Sequence, residues 1–233
     1  MFAILLLTTG SNGLARVTAP GHPGARPSAG SGGIARRLSS ARRGSNSTNP
    51  YARYETRVAG DPLALGRLNA PVVMVEWSDY QCPFCGIFAR DTMPALVRKY
   101  VDTGKLRFEW RDFPYLGPQS TAAAIAARAA GLQGRFWAFH NFLYAHQQPV
   151  DSGRLTTSYF LGIARALHLN VKRFKAALSD QALADQVDAD YNQGMDVGVM
   201  ATPTFLVGAT KVVGAQPLAT FEKVINSQLH VRR

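Results

Sequence analysis

Cysteine is nearly absent: the 233 residues contain two, Cys82 and Cys85. Two are too few for a small disulfide-stapled scaffold, and a chain with 46% hydrophobic residues has a core that needs no staple. Acidic residues are scarce as well, 15 Asp and Glu against 26 Lys and Arg, for a net charge of +11. That excess resembles a nucleic-acid signature only until it is placed along the chain. Residues 1–57 carry eight arginines against one acid, Glu55, whereas the remainder holds 18 basic and 14 acidic residues. The charge is concentrated in a tail, so no folded nucleic-acid platform is expected. The apolar run at the start, MFAILLLT (1–8), falls well short of the ~18 residues that span a bilayer as a helix.

That run resembles the apolar middle of a signal peptide, although no positive residues precede it. Export, or anchoring to a membrane through this segment, is the expectation, which places the protein outside the cytoplasm in the periplasm or cell envelope. Residues 10–57 are rich in Gly, Ser, Ala, Pro and Arg and poor in large apolar side chains. Such a segment buries too little surface to offset its ordering entropy. Residues 1–57 therefore read as a signal or anchor remnant followed by a disordered basic linker. Nothing in them resembles a dimerisation domain, and a monomer is expected.

Ordered structure is expected from Val58. PVVMVEW (71–77) is a β-branched apolar run of the kind that forms a strand covered on both faces. The cysteine motif follows, then a helix to about Tyr100 that Pro94 should kink. In KLRFEWRDF (105–113), Leu106, Phe108 and Trp110 alternate with charged neighbours at strand period. Strand, helix and parallel strand make one βαβ unit. From Gln119 to about Gly194 the pattern is helical. Phe136, Phe139, His140 and Leu143 share one helix face, Asn170 is placed to cap the helix of VKRFKAAL, and Ala184, Val187 and Tyr191 form a second stripe. Strands return in TPTFLVG (202–208) and KVVGA (211–215), and a helix over 217–229 closes the chain. The expected organisation is an α/β sheet domain in two parts, 58–118 and 195–233, interrupted by a helical subdomain at 119–194.

Cys82 falls where the first strand gives way to a helix, and Pro83 suits the first helical turn because its missing N–H would be unpaired there. The Cys82 sulfur then faces unpaired backbone N–H groups and the positive end of the helix dipole, which favour the thiolate. Cys85 lies one turn further in, close enough to attack a mixed disulfide formed on Cys82. Glu76, six residues before Cys82, belongs to the buried strand, where an apolar setting raises a carboxyl pKa toward neutrality. Such a group can exchange a proton with Cys85. A bond between the two cysteines would close a four-residue loop, contributing less than the ~3 kcal/mol of a fifteen-residue one, so a structural staple is the weaker reading. A zinc site needs two more ligands, and His140 and His146 are six residues apart, off the spacing that aligns them on a helix. His140 on its aromatic face reads as a satisfied core histidine, and a buried acid with a structural partner is the alternative reading of Glu76. Pro203 at the start of an inner strand cannot donate to a ladder. A cis Thr202–Pro203 bond would turn the chain there and leave the backbone groups of Thr202 facing outward; an ordinary trans proline is the alternative.

MVEWSDYQCPFC, RDFP, QGRFWAFHNFLY and GVMATPTFLVGATKVVGAQP, in this order between about Asp61 and Leu229, resemble the DsbA-like branch of the thioredoxin superfamily. The resemblance implies a thioredoxin fold with an inserted helical domain and an extracytoplasmic protein thiol–disulfide oxidoreductase. It implies Cys82 as exposed nucleophile, Cys85 as resolving cysteine, Glu76 as buried acid and Thr202–Pro203 as a cis-proline loop. Cysteines of folding proteins would be the substrates, held against Pro83, Phe84, Thr202 and Pro203, with no cofactor beyond the Cys82–Cys85 disulfide and no metal. A membrane partner would recycle the pair. The dipeptide between the cysteines departs from the strong oxidants of that branch, which carry Pro-His where this chain has Pro83-Phe84. Its isomerases and reductases also use an aromatic residue there, so a reductase or isomerase working from the reduced state is the second enzymatic reading. A non-catalytic peptide-binding or metal-carrying module is the third.

Overall fold

The computed structural model describes residues 49–231; the expected leader or anchor and the linker up to residue 48 lie outside the described residues. The apolar run forms strand β2 (Val72–Ser78), with every residue buried. Alternation along a strand divides its side chains between two faces. Val72 and Met74 enter one core cluster, and Val73, Val75 and Trp77 enter another. Glu76, in step with Val72 and Met74, is directed to the first of these faces.

Strand β3 (Leu106–Asp112) runs parallel to β2, pairing Leu106 with Val72 and Asp112 with Ser78. On the other side of β2, β4 (Thr204–Val207) is antiparallel, with Phe205 opposite Glu76, and a tight turn leads to β5 (Thr210–Val213). A two-residue strand, β1 (Ala64–Leu65), pairs with the outer edge of β3 and is too short to leave a periodic signal in the sequence. The strand order β1-β3-β2-β4-β5 completes a mixed sheet of the thioredoxin fold.

The connection from β2 to β3 begins at the cysteine motif. Helix α1 (Pro83–Ile87) passes through a π-helical turn (Phe88–Thr92) into α2 (Met93–Leu96) and a second π-helical turn (Val97–Val101). Pro94, expected to kink a regular helix, sits directly after the first wide turn, where the α ladder has already changed register. This rod packs on the sheet through Phe88, whose ring centroid lies 4.5 Å from that of Phe205 and 5.3 Å from that of Phe221. Phe221 and Ile225 bring in the closing helix α8 (Leu218–Val231). Removing a ring such as Phe88 would cost about 3–5 kcal/mol.

Between β3 and β4 lie α3 (Pro118–Gly131), α4 (Phe136–Ala145), α5 (Thr157–Ala166), α6 (Val171–Ala177) and α7 (Gln181–Val197). Side chains of Thr156, Asn170 and Asp180 cap α5, α6 and α7 through backbone N–H groups of Tyr159, Arg173 and Ala182. Phe136, Phe139, His140 and Leu143 are all buried on one side of α4.

The charged residues of β3 alternate with the apolar ones, and all seven residues of the strand are buried. One expectation needs correction: ordered chain begins upstream of Val58, as residues 49–57 pack on the sheet face that holds Trp77 and Glu109. Tyr54 meets Trp77 edge to face at 6.1 Å. The N–H groups of Thr56 and Arg57 donate to Glu109 at 3.0 and 2.9 Å. The physical reason is that a buried carboxylate needs donors, and Glu109 takes them from these two amides, the Thr56 hydroxyl, Arg107 and Arg111.

Candidate active site

The strand-to-helix junction places Cys82 as an extended residue just ahead of α1, with Pro83 in the first helical position. Its carbonyl accepts from the Gly86 N–H at 3.1 Å, closing the first turn. Its sulfur meets the loop before β4, where the Thr202–Pro203 peptide is cis. The Cys82 thiol donates to the Thr202 carbonyl at 3.3 Å. Pro203 turns its own carbonyl to the Gly214 N–H at 2.7 Å. Thus two segments 120 residues apart in sequence form the two walls of one site.

Two details differ from expectation. Cys82 is not open to solvent; only 2% of its surface is exposed. Nor does the Thr202 carbonyl face outward: it is turned onto the sulfur, and the residue is buried. The residues exposed next in sequence to the two walls are apolar: Phe84 at 61%, after Cys82 and Pro83, and Met200 at 88%, just ahead of the cis peptide.

The two sulfurs are unbridged and sit in opposite settings. The neighbouring Cys85 thiol supports charge on Cys82, burial opposes it, and Thr202 and the amides of Cys85 and Phe84 add further support. The balance lowers the Cys82 pKa to about 6. The Cys82 sulfur accepts no N–H of the first turn of α1 in full hydrogen-bond geometry, and the neighbouring thiol outweighs the helix terminus. Cys85, fully buried, is pushed well above the ordinary thiol range by desolvation, then by its bond to Cys82 and by the charges of Cys82 and Glu76.

Burial raises Glu76 to about 8; the Ser78 hydroxyl opposes the shift and the Cys82 charge adds to it. Its Oε2 is buried without a hydrogen-bond partner. The Thr202 hydroxyl is likewise buried, with no partner in full hydrogen-bond geometry.

Several contributors carry no sequence signal. Asp79, buried, accepts from the N–H groups of Gln81 and Leu116 and from the Ser120 hydroxyl, tying the loop before Cys82 to the start of α3. Tyr144 of α4 donates to the Asp79 carbonyl and shares a hydrogen bond with Ser78. Burial raises Tyr115, in the loop after β3, and the Thr202 side chain and both sulfurs also act on it. Gln147, after α4, binds the carbonyls of Tyr80 and Cys82. His140 is a core histidine but not the satisfied one expected: Nδ1 is bonded to Asn141 at 3.0 Å, Nε2 has no partner, and burial lowers its pKa to about 4. Among the described residues no group of three or more His, Cys, Asp or Glu is placed to hold a metal ion. No described helix is long and apolar enough to cross a membrane.

The thioredoxin family model matches residues 59–227, and the chain belongs to that family. Within it the chain is DsbA-like. It is similar to disulfide bond formation protein D of Bacillus subtilis, with 29% identity over 153 residues, 64% of this chain and 68% of that protein. The crystal structure of oxidised BdbD from Bacillus subtilis superposes with a TM-score of 0.68 at 26% identity, covering 73% of this chain and 94% of that one. The Na(+)/H(+) antiporter NhaA 1 of Salinispora arenicola is 34% identical over 164 residues, 70% of this chain. This chain spans only 24% of the length of that antiporter.

Proposed function

We propose that this chain is an extracytoplasmic protein thiol–disulfide oxidoreductase that donates a Cys82–Cys85 disulfide to cysteines of folding proteins. The observation that carries the reading is the asymmetry of the pair. Cys82 is held near pH 6 against Thr202, while Cys85 is buried beside Glu76, whose Oε2 has no partner, and is pushed far above neutrality. A staple has no use for that difference; an exchanging pair does.

In the oxidising direction a substrate thiolate attacks the Cys82 sulfur of the disulfide. The Cys82–Cys85 bond breaks, and the departing Cys85 sulfur takes the proton of Glu76, which is protonated at neutral pH. A second substrate thiolate then attacks the substrate sulfur of the mixed disulfide and expels the Cys82 thiolate, a good leaving group. Two electrons pass from the substrate pair to the protein pair. Resolution by Cys85, with Glu76 accepting its proton, belongs to the opposite direction: it re-forms the Cys82–Cys85 bond and releases a reduced substrate. The substrate lies against Pro83, Phe84, Thr202 and Pro203, with Thr202 uncovered as the chain enters. The pair itself is the redox centre, with no cofactor or metal, and a membrane partner reoxidises a monomeric enzyme at the cell envelope.

Equilibration in graded glutathione buffers, with thiols counted by alkylation, tests the direction. A midpoint near −120 mV supports the oxidase; one near −270 mV overturns it in favour of a reductase or isomerase, the reading that Phe84 in place of an imidazole favours.

A further inference from the structure

Gln147 lies outside every regular element, 65 residues from Cys82, yet its amide nitrogen reaches the backbone on both sides of the sulfur's approach. It donates to the Cys82 carbonyl at 2.8 Å and to the Tyr80 carbonyl at 3.0 Å. Its amide oxygen accepts from Arg90 Nη1 at 3.4 Å, and the same guanidinium nitrogen donates to the Tyr144 carbonyl at 2.8 Å. The side chain is thereby held at both ends, one on the redox turn and one on α4 through Arg90. Gly86 completes the arrangement. A Cβ added there would lie 2.2 Å from Gln147 Oε1 and 2.6 Å from Arg90 Nη1, so this place on α1 is kept clear for the pair. Glycine inside a helix costs about 1 kcal/mol relative to alanine, and the space it leaves is occupied by this contact.

We propose that Gln147 is a positioning residue for the redox pair: by holding the Cys82 and Tyr80 carbonyls it aims the first turn of α1 at the Cys82 sulfur. This rests on the reading of Cys82 and Cys85 as the exchanging pair. The Cys82 carbonyl is also the acceptor that closes the first turn with Gly86. Releasing it lets the turn loosen, and the N–H groups of Phe84 and Cys85 then drift from the sulfur they support. The thiolate is destabilised, and its titration moves up in pH. Glu76 on β2, Cys85 on α1 and Tyr115 after β3 also act on Cys82 and are left in place by the variants below; the cation of Arg90 stays in Gln147→Met and is displaced together with Gln147 in Gly86→Ala.

The test uses Gln147→Met, which keeps the length and removes both donors, and Gly86→Ala, which displaces Gln147 while leaving it in the chain. The atoms that Gly86→Ala displaces are the ends of two long side chains, so the helix accepts the substitution. Alkylation of Cys82 is followed against pH in the folded full chain of each. The expected result is a rise of about one pH unit in both, hence a roughly fivefold smaller thiolate fraction and a slower reaction at pH 6. Unchanged Cys82 titration in a folded variant would overturn the proposal, and either variant decides it if the other does not fold. An unmodified chain whose Cys82 titrates like an ordinary thiol would instead overturn the exchanging-pair reading on which it stands.

Discussion

Two buried polar clusters flank the same sheet, and they are built in opposite ways. At the outer edge of β3, Glu109, Asp112, Arg107, Arg111, Arg128 and Asp190 form a network in which buried charges meet. Arg107 Nε lies 2.7 Å from Glu109, Arg128 Nε lies 2.5 Å from Asp112, and Arg128 also binds Asp190. Burial pushes Glu109 up, yet Arg107, Arg111 and the amides of Thr56 and Arg57 hold it below the usual carboxylate range. On the other side of β2, Glu76 and Thr202 are buried with unpartnered oxygens, and the two sulfurs are driven apart in pKa. Buried charge that is paired holds the sheet to α3 and α7. Buried polar groups left unpaired are poised for a proton or a bond to arrive.

The largest effect expected from breaking this contrast is on the paired side. Arg128→Ala leaves Asp112 and Asp190 buried without their shared cation, and breaking such a pair costs about 3–5 kcal/mol. Denaturant unfolding should show that loss, while Cys82 alkylation in the folded variant stays as in the parent. A change in both would mean that the two clusters are coupled.

On the unpaired side, Glu76→Gln should act with the opposite sign at alkaline pH. The folded pKa of Glu76 is about 8 and its ordinary value 4.5, so between these the folded chain holds a proton that the unfolded chain has lost. The Glu76 contribution therefore makes stability fall as pH rises through this window. Glutamine removes it, so the variant gains on the parent between about pH 4.5 and 8, by an amount on the order of a few kcal/mol. Exchange by the variant should be slowed, since Cys85 loses its proton partner. Paired urea titrations at pH 5 and 8 check the sign; a constant difference would show that Glu76 is ordinary.

The smallest effect concerns the exposed residue between the cysteines. Phe84→His places an imidazole beside the Cys82 thiolate, lowering its pKa and raising the reduction potential by up to about 30 mV, a tenfold change in the exchange equilibrium. The glutathione titration reads it directly. An unaltered midpoint would show that the dipeptide does not set the poise here.

How much of this was legible from sequence depends on how far apart the partners lie. Cys82, Cys85 and Glu76 stand within ten residues on a strand and the helix after it, so local rules place them together. Thr202–Pro203 was legible because proline at the head of an inner strand demands an explanation. Asp79, Tyr115, Tyr144 and Gln147 reach the site through loops and through the helical insertion, and no periodicity marks them. The burial of Cys82 and the inward turn of the Thr202 carbonyl are tertiary facts of the same kind. On β3, strand period marks Leu106, Phe108 and Trp110, but alternation alone implies one wet face. It cannot anticipate that residues 49–57 and α7 cover that face and supply partners for its charges. The two-residue β1 falls below the length at which any period is visible.

The central claim is that one fold gives two neighbouring thiols opposite acidities. Thiolate absorbance and alkylation of the reduced chain, followed residue by residue from pH 4 to 10, test it most directly. The account predicts that Cys82 titrates near pH 6 while Cys85 remains protonated through the ordinary thiol range. Two thiols titrating together near pH 8.5, the value of an unperturbed cysteine, would contradict it.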